Sequence, residues 1–152
     1  INRFESALSK FIVLSAYIPM LMDTGGNAGS QASVEVVRAL SLDEIRFKDF
    51  FKVIWKEMRV GLFCGLTLST AIFAKCILFD RVPMGVALTI SLTIICAVFL
   101  SKLIASMLVL LVTRIHLDPA VVASPMLTTI IDALSLTIYF TIATAVLHIA
   151  IH

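Results

Sequence analysis

Charged residues are scarce in this sequence. The 12 basic and 10 acidic residues make up 14% of the 152 positions, whereas a soluble domain carries about 25%. Hydrophobic residues account for 60% of the chain, and the mean hydropathy is +1.05. The composition therefore predicts a single-domain integral membrane protein whose solvent is the lipid bilayer.

The sequence also has few cysteines and no cluster of basic residues on an aromatic surface. The three cysteines (Cys64, Cys76 and Cys96) are odd in number, far apart and embedded in apolar runs. A disulfide framework or a C-x-x-C metal site therefore has no support, and we expect the cysteines to serve as apolar packing residues. The net charge of +2, without a basic cluster on an aromatic surface, gives no reason to expect nucleic acid as a partner.

The start of the chain lacks a signal-peptide pattern and a Met, because the sequence opens at Ile1. We therefore expect residues 1–152 to be the transmembrane domain of a longer protein.

Four segments are apolar enough to span a bilayer. They are Ala7–Met22, Val60–Phe79, Val86–Val112 and a last helix opened by Asp118 as N-cap and Pro119 as first helical residue. Rows of small residues at four-residue spacing predict close helix contacts. The rows are Gly61, Gly65 and Ser69 in one span, and Ala97, Ser101 and Ala105 in the next.

Glycine is concentrated just after the first span. Gly25, Gly26 and Gly29 follow Pro19 within a polar stretch, which predicts a break in the helix at membrane depth, with a simple turn as the alternative. Irregular backbone at that depth survives only against protein or a water-filled cavity.

A polar segment from Glu35 to Arg59 follows. Its helical spacing of aromatic residues predicts a surface helix with a capping signature at Ser41. Six of the twelve basic residues lie between Arg38 and Arg59, so the loop over residues 38–59 should be cytoplasmic and the C-terminus outside.

Asp132 is the only acidic residue between Pro119 and Ile151. A carboxylate at that depth costs roughly 2.5 kcal/mol or more, so a functional role is the default interpretation. Pro125 frees the Val121 carbonyl, which shares one helix face with the oxygen-bearing side chains of Ser124, Thr128, Asp132 and Ser135. Oxygen ligands without soft donors suit a hard cation such as Mg²⁺ or Ca²⁺. A structural helix contact, or an ion pair with Lys102, is the alternative.

Several motifs together resemble the transmembrane domain of MgtE-type magnesium channels. They are Pro19-x-Leu21, Thr24-Gly25-Gly26-Asn27-x-Gly29-x-Gln31, Lys56-Glu57-Met58-x-Val60-Gly61, Asp118-Pro119-Ala120 and the segment from Pro125 to Asp132. The resemblance implies a homodimer with five helices per subunit and a pore between the subunits. It also implies that Asp132 is the pore aspartate, that the Thr128 carbonyl faces the ion and that Asp118 lies at the cytosolic mouth. Gly25, Gly26 and Asn27 would lie by the break in the pore-lining helix.

The chain also departs from that family. Within residues 1–152 we expect no counterpart of the family's first helix or of its cytosolic regulatory domains. Ser124 replaces an amide, and Lys102 brings a positive charge where a neutral polar residue is typical of the family. We expect Lys102 to pack on a neighbouring helix with its ammonium in a wet cavity, rather than to pair with Asp132.

The sequence therefore predicts an all-α polytopic membrane bundle that conducts hydrated Mg²⁺, with Mn²⁺, Co²⁺ and Ni²⁺ as further candidates, and that is not an enzyme. A coupled cation exchanger and a non-conducting membrane anchor are the alternatives. An intramembrane aspartyl protease needs two neighbouring deep carboxylates, and only Asp132 lies deep in a predicted span.

Overall fold

The computed structural model describes residues 2–118 and 125–147. These residues form four α-helices and no strand, which confirms the all-α prediction. The helices are α1 (Asn2–Ser41), α2 (Phe50–Leu78), α3 (Met84–Arg114) and α4 (Pro125–Leu147), and a single 3₁₀ turn (Phe47–Asp49) precedes α2.

Helix α3 lies at the centre of the bundle and packs against each of the other three helices. Its core face is fully buried at Val86, Ile90, Ile94 and Val98. Helix α1 also packs directly on α4, where the buried Tyr139 hydroxyl donates a hydrogen bond to the Leu14 carbonyl at 2.9 Å. This contact helps to hold α1 and α4 in register.

Three segments of the described chain are long and apolar enough to cross a membrane: Phe47–Leu78, Met84–Arg114 and Leu127–Leu147. The expected first span, Ala7–Met22, lies within the 40-residue helix α1. Large apolar side chains such as Phe63 and Leu66 are exposed on α2, as is usual for a surface in contact with lipid. The chain is therefore a multi-pass membrane protein.

The predicted surface helix over residues 35–59 was wrong. Glu35 to Ser41 belong to the end of α1, and Phe50 to Arg59 are continuous with the predicted span in α2. Ser41 does not cap a helix start, because its hydroxyl donates to the Val37 carbonyl at 2.9 Å in the last turn of α1. Residues 50–60, the polar part of α2, contain no Gly or Pro. No residue of very low helix propensity therefore separates this polar part from the predicted span that follows it.

The predicted break at the glycines was also wrong, because α1 runs through them without interruption and none of the described glycines has a positive φ. Tertiary packing explains their presence. A Cβ atom on Gly25 would lie 2.6 Å from the Ser135 Oγ atom, and one on Gly29 would overlap the Ile131 side chain. The close approach of α4 offsets a helix-propensity cost of about 1 kcal/mol per glycine.

The small-residue row on α2 brings α2 and α3 into close contact, as predicted. A Cβ atom on Gly61 would lie 3.3 Å from the Phe99 Cα atom, and one on Gly65 would lie 3.1 Å from the Ile95 Cα atom. Gly61 and Gly65 therefore set the distance between these two helices.

Candidate functional site

A cavity of about 450 Å³, here called the α1–α4 cavity, lies between α1 and α4. Its lining combines apolar side chains with carboxylate, amide and hydroxyl groups. The lining residues are Ile18, Pro19, Met22, Asp23, Gly26, Asn27, Ser30, Thr128 and Asp132. The cavity therefore offers oxygen ligands at the surface of a membrane bundle.

Helical periodicity places these groups together. On α1, Pro19, Asp23 and Asn27 are spaced four residues apart and lie on one face, while on α4 Thr128 and Asp132 are one turn apart. Gly26 allows α4 to approach, since a Cβ atom there would lie 3.5 Å from the Thr128 Cγ2 atom and 3.7 Å from the Asp132 Oδ1 atom. The Asp132 carboxylate thus lies directly against the backbone of α1.

Asp23 lines the α1–α4 cavity and was not predicted as a site residue from the sequence. Its Oδ2 atom accepts a hydrogen bond from the Asn27 Nδ2 atom at 3.0 Å, and it borders the same cavity as Asp132. The four-residue spacing of Pro19, Asp23 and Asn27 would have identified it if α1 had been treated as continuous. Two carboxylates, an amide and a hydroxyl are hard ligands suited to Mg²⁺.

The described part of the chain contains no group of three or more His, Cys, Asp and Glu residues that could enclose a metal ion. A cation in the α1–α4 cavity would therefore have to keep water ligands or take further ligands from outside this chain. Mg²⁺ tolerates the first arrangement well, because it gives up its hydration water reluctantly.

Other predicted site residues lie elsewhere. Gly25 faces α3 and α4, beside the buried hydroxyls of Ser101 and Ser135, and does not line the cavity. The predicted oxygen stripe on α4 is consequently divided, with Thr128 and Asp132 at the cavity and Ser135 packed into the bundle. Asp118 is exposed beyond the end of α3. Ser124 lies outside the described residues.

Lys102 pairs with Glu57, not with Asp132. Its Nζ atom lies 3.7 Å from the Glu57 Oε2 atom, and the two residues are only 4% and 1% exposed. Lys102 also borders a second cavity of about 260 Å³, here called the inner cavity, together with the polar residues Asp23, Asn27 and Gln31. The pairing of Glu57 with Lys102 was not predicted, because residue 57 had been assigned to a surface helix.

A separate polar cluster joins α1 to the turn between α2 and α3. The Asp80 Oδ2 atom accepts hydrogen bonds from the Lys75 Nζ atom and the Tyr17 hydroxyl, each at 2.5 Å. These two bonds, the one from Lys75 foremost, hold the pKa of the Asp80 carboxyl below its usual value. Asp80 therefore acts as an ionised acceptor at this end of the bundle.

The chain is similar in sequence to known transport proteins. The family model MgtE, described as a divalent cation transporter, matches residues 18–142. The magnesium transporter MgtE of Thermus thermophilus is 36% identical over 143 residues, which cover 94% of this chain and 31% of that protein. The magnesium transporter MgtE of Bacillus subtilis is 34% identical over 152 residues, which cover 97% of this chain and 33% of that protein. The chain thus spans about a third of the length of these relatives.

Proposed function

Because this chain belongs to the MgtE family of divalent cation transporters, we propose that it carries Mg²⁺ across a membrane through the α1–α4 cavity. One observation carries the proposal. The Asp132 carboxylate, set in an otherwise uncharged helix, borders a cavity that also holds the Asp23 carboxylate. Transport through such a site needs no covalent step.

The size of the cavity supports transport of a hydrated ion. Six water molecules at about 30 Å³ each occupy roughly 180 Å³, and they satisfy the octahedral geometry that Mg²⁺ requires. A cavity of about 450 Å³ has room for this shell. Asp132 and Asp23 then attract the ion through its water ligands, so the ion needs no closed protein cage.

The homodimer in this proposal follows from the exposure of polar groups on a single chain. Asp23, Asn27 and Thr128 are exposed beside apolar surface. Asn27 and Asp23 bond to each other, but lipid offers no partner for the remaining polar atoms of these side chains. A second copy packed over the cavity would cover them and supply a second Asp132 across a two-fold axis. The pore then lies between the subunits, with selectivity set by a ring of oxygen ligands.

Orientation in this proposal follows the basic residues. The end of α1, the following loop and the start of α2 carry six of the twelve Lys and Arg residues and are placed in the cytoplasm. With α2, α3 and α4 crossing in turn, Asp118 lies at the cytosolic entrance and the end of α4 lies outside.

The test is flux of Mg²⁺ into proteoliposomes that contain the full chain, compared with the Asp132→Asn variant. We expect at least about tenfold lower flux in the variant, because it loses the only carboxylate of α4 while helix packing is preserved. Mg²⁺-dependent thermal stabilisation of the purified protein should shrink in parallel. Equal flux and equal stabilisation in variant and parent would refute the site. Flux that requires a Na⁺ or H⁺ gradient would indicate the coupled exchanger instead.

A further inference from the structure

The ion pair between Lys102 and Glu57 lies in the interior of the bundle, between α3 and α2. At 6% and 1% exposure the two side chains are almost completely removed from solvent. At 3.7 Å their charged atoms are within ion-pair distance, and the Glu57 Oε2 atom has no hydrogen-bond partner among the described residues. Each charge is therefore compensated mainly by the other.

A glycine makes this arrangement possible. A Cβ atom on Gly61 would lie 3.6 Å from the Lys102 Cδ atom, so the lysine stem extends along the backbone of α2 one turn after Glu57. The stem is held by packing, which keeps the ammonium in a constant position relative to the bundle.

The pair is close to the proposed ion path. Lys102 borders the inner cavity, whose other lining residues include Asp23 and Asn27. The same two residues of α1 also line the α1–α4 cavity. Asp23 and Asn27 of α1 therefore border both the cavity next to Lys102 and the proposed cation site.

We propose that Glu57 is a positioning residue for cation binding, because it holds and neutralises the Lys102 ammonium and so prevents Lys102 from repelling divalent cations in the α1–α4 cavity. The inference rests on the proposed function. An uncompensated ammonium lowers the affinity for a divalent ion through Coulomb repulsion, which buried surroundings screen poorly. With Glu57 ionised, the pair presents a dipole whose field falls off faster than that of a single charge.

A purely structural pair gives a different result. If Glu57 and Lys102 only join α2 to α3, their removal changes the stability of the protein and leaves the dissociation constant for Mg²⁺ unchanged. The sign of the change also distinguishes the two roles. Repulsion by Lys102 makes the Glu57 and Lys102 variants shift Mg²⁺ affinity in opposite directions.

The experiment is a calorimetric titration of the purified full chain with MgCl₂ at low ionic strength. Four proteins are compared with the parent: Glu57→Gln, Lys102→Gln, the double variant, and Glu35→Gln as the matched control. Glu35 forms an exposed ion pair with Lys56, so its variant makes the same change in net charge at a solvated position.

We expect Glu57→Gln to bind Mg²⁺ roughly fivefold to tenfold more weakly than the parent, and Glu35→Gln to stay within about twofold. Lys102→Gln should bind more tightly than the parent, because it removes the cation and leaves the Glu57 charge. The double variant should return to within about twofold of the parent, since it removes both charges.

A folded Glu57→Gln protein that binds Mg²⁺ as well as Glu35→Gln would overturn the inference and leave the proposed function intact. If Glu57→Gln does not fold, the Lys102→Gln variant tests the inference instead. Mg²⁺ binding that is unchanged or weaker in that variant also overturns the inference. A parent protein that binds no Mg²⁺ would overturn the proposed function and this inference together.

Discussion

The Oδ1 atom of Asp132 lies 3.7 Å from the position that a Cβ atom on Gly26 would occupy. The carboxylate therefore packs on bare backbone of α1, and Gly26 controls how much room it has. An added methyl group at 3.5 to 3.7 Å from its neighbours makes only ordinary van der Waals contact, whereas a branched side chain projects into the cavity.

Gly26→Val should lower Mg²⁺ flux at least about tenfold while the protein still folds, because the branched side chain displaces the Asp132 carboxylate and fills the cavity. Gly26→Ala is the matched control and should be at least as stable as the parent, since alanine favours a helix by about 1 kcal/mol over glycine. Proteoliposome flux and thermal unfolding measure the two effects. Parental flux in a folded Gly26→Val protein would contradict the proposed path.

Asp23→Asn should weaken Mg²⁺ binding, because it removes the second carboxylate from the α1–α4 cavity and leaves a residue of the same size. We expect a loss of roughly three- to tenfold, smaller than for Asp132→Asn, because exposed charges are better screened than buried ones. Calorimetric titration measures it. Thr24→Ser, which keeps a hydroxyl able to bond the Met20 carbonyl, serves as the control on α1. If Asp23→Asn and Thr24→Ser bind Mg²⁺ with the same affinity, Asp23 is not part of the cation site.

Gly65→Ala should destabilise the bundle by about 1 to 3 kcal/mol, because the new methyl group would meet the Ile95 Cα atom at 3.1 Å and its carbonyl oxygen at 3.2 Å. These neighbours are backbone atoms of α3 and cannot rotate away. Leu66→Ala, at an exposed neighbouring position of α2, is the control and should have a smaller effect. Denaturant unfolding in detergent gives both values. A stability of Gly65→Ala equal to or above that of the parent would show that α2 and α3 can separate without cost.

Asp80→Asn should be less stable than the parent at neutral pH, because it loses the charged acceptor for Lys75 and Tyr17. The pKa of Asp80 is lower in the folded than in the unfolded protein, so its stabilisation is complete above the unfolded value of about 3.9. It is lost as the pH falls through the folded pKa, and the melting temperatures of variant and parent should then converge. A constant difference from neutral to acidic pH would mean that Asp80 does not act through its charge.

Much of the fold was accessible from sequence patterns. Hydropathy identified the apolar cores of α2 and α3, and four-residue spacing identified the close contact at Gly61 and Gly65. Asp132 was singled out because a charged residue in an apolar run is conspicuous without any knowledge of its neighbours.

The errors concerned residues whose role depends on their neighbours. Glycines favour irregular backbone in isolation, yet Gly25 and Gly29 lie in a regular helix because α4 needs the space that a side chain would take. The assumed break also hid the helical spacing that places Asp23 beside Asn27. Glu57 lies in a polar segment and was therefore assigned to the surface. Its partner Lys102 is distant in the sequence, so no local pattern indicates that the two side chains meet.

Local sequence patterns were sufficient to establish a helical membrane protein with a single carboxylate in its last apolar segment, because the bilayer constrains every spanning segment in the same way. The tertiary structure decided that α1 is unbroken, that Asp23 joins Asp132 at one cavity and that Glu57 compensates Lys102. These features depend on distances between helices, and such distances arise from side-chain packing between segments that are far apart in the chain.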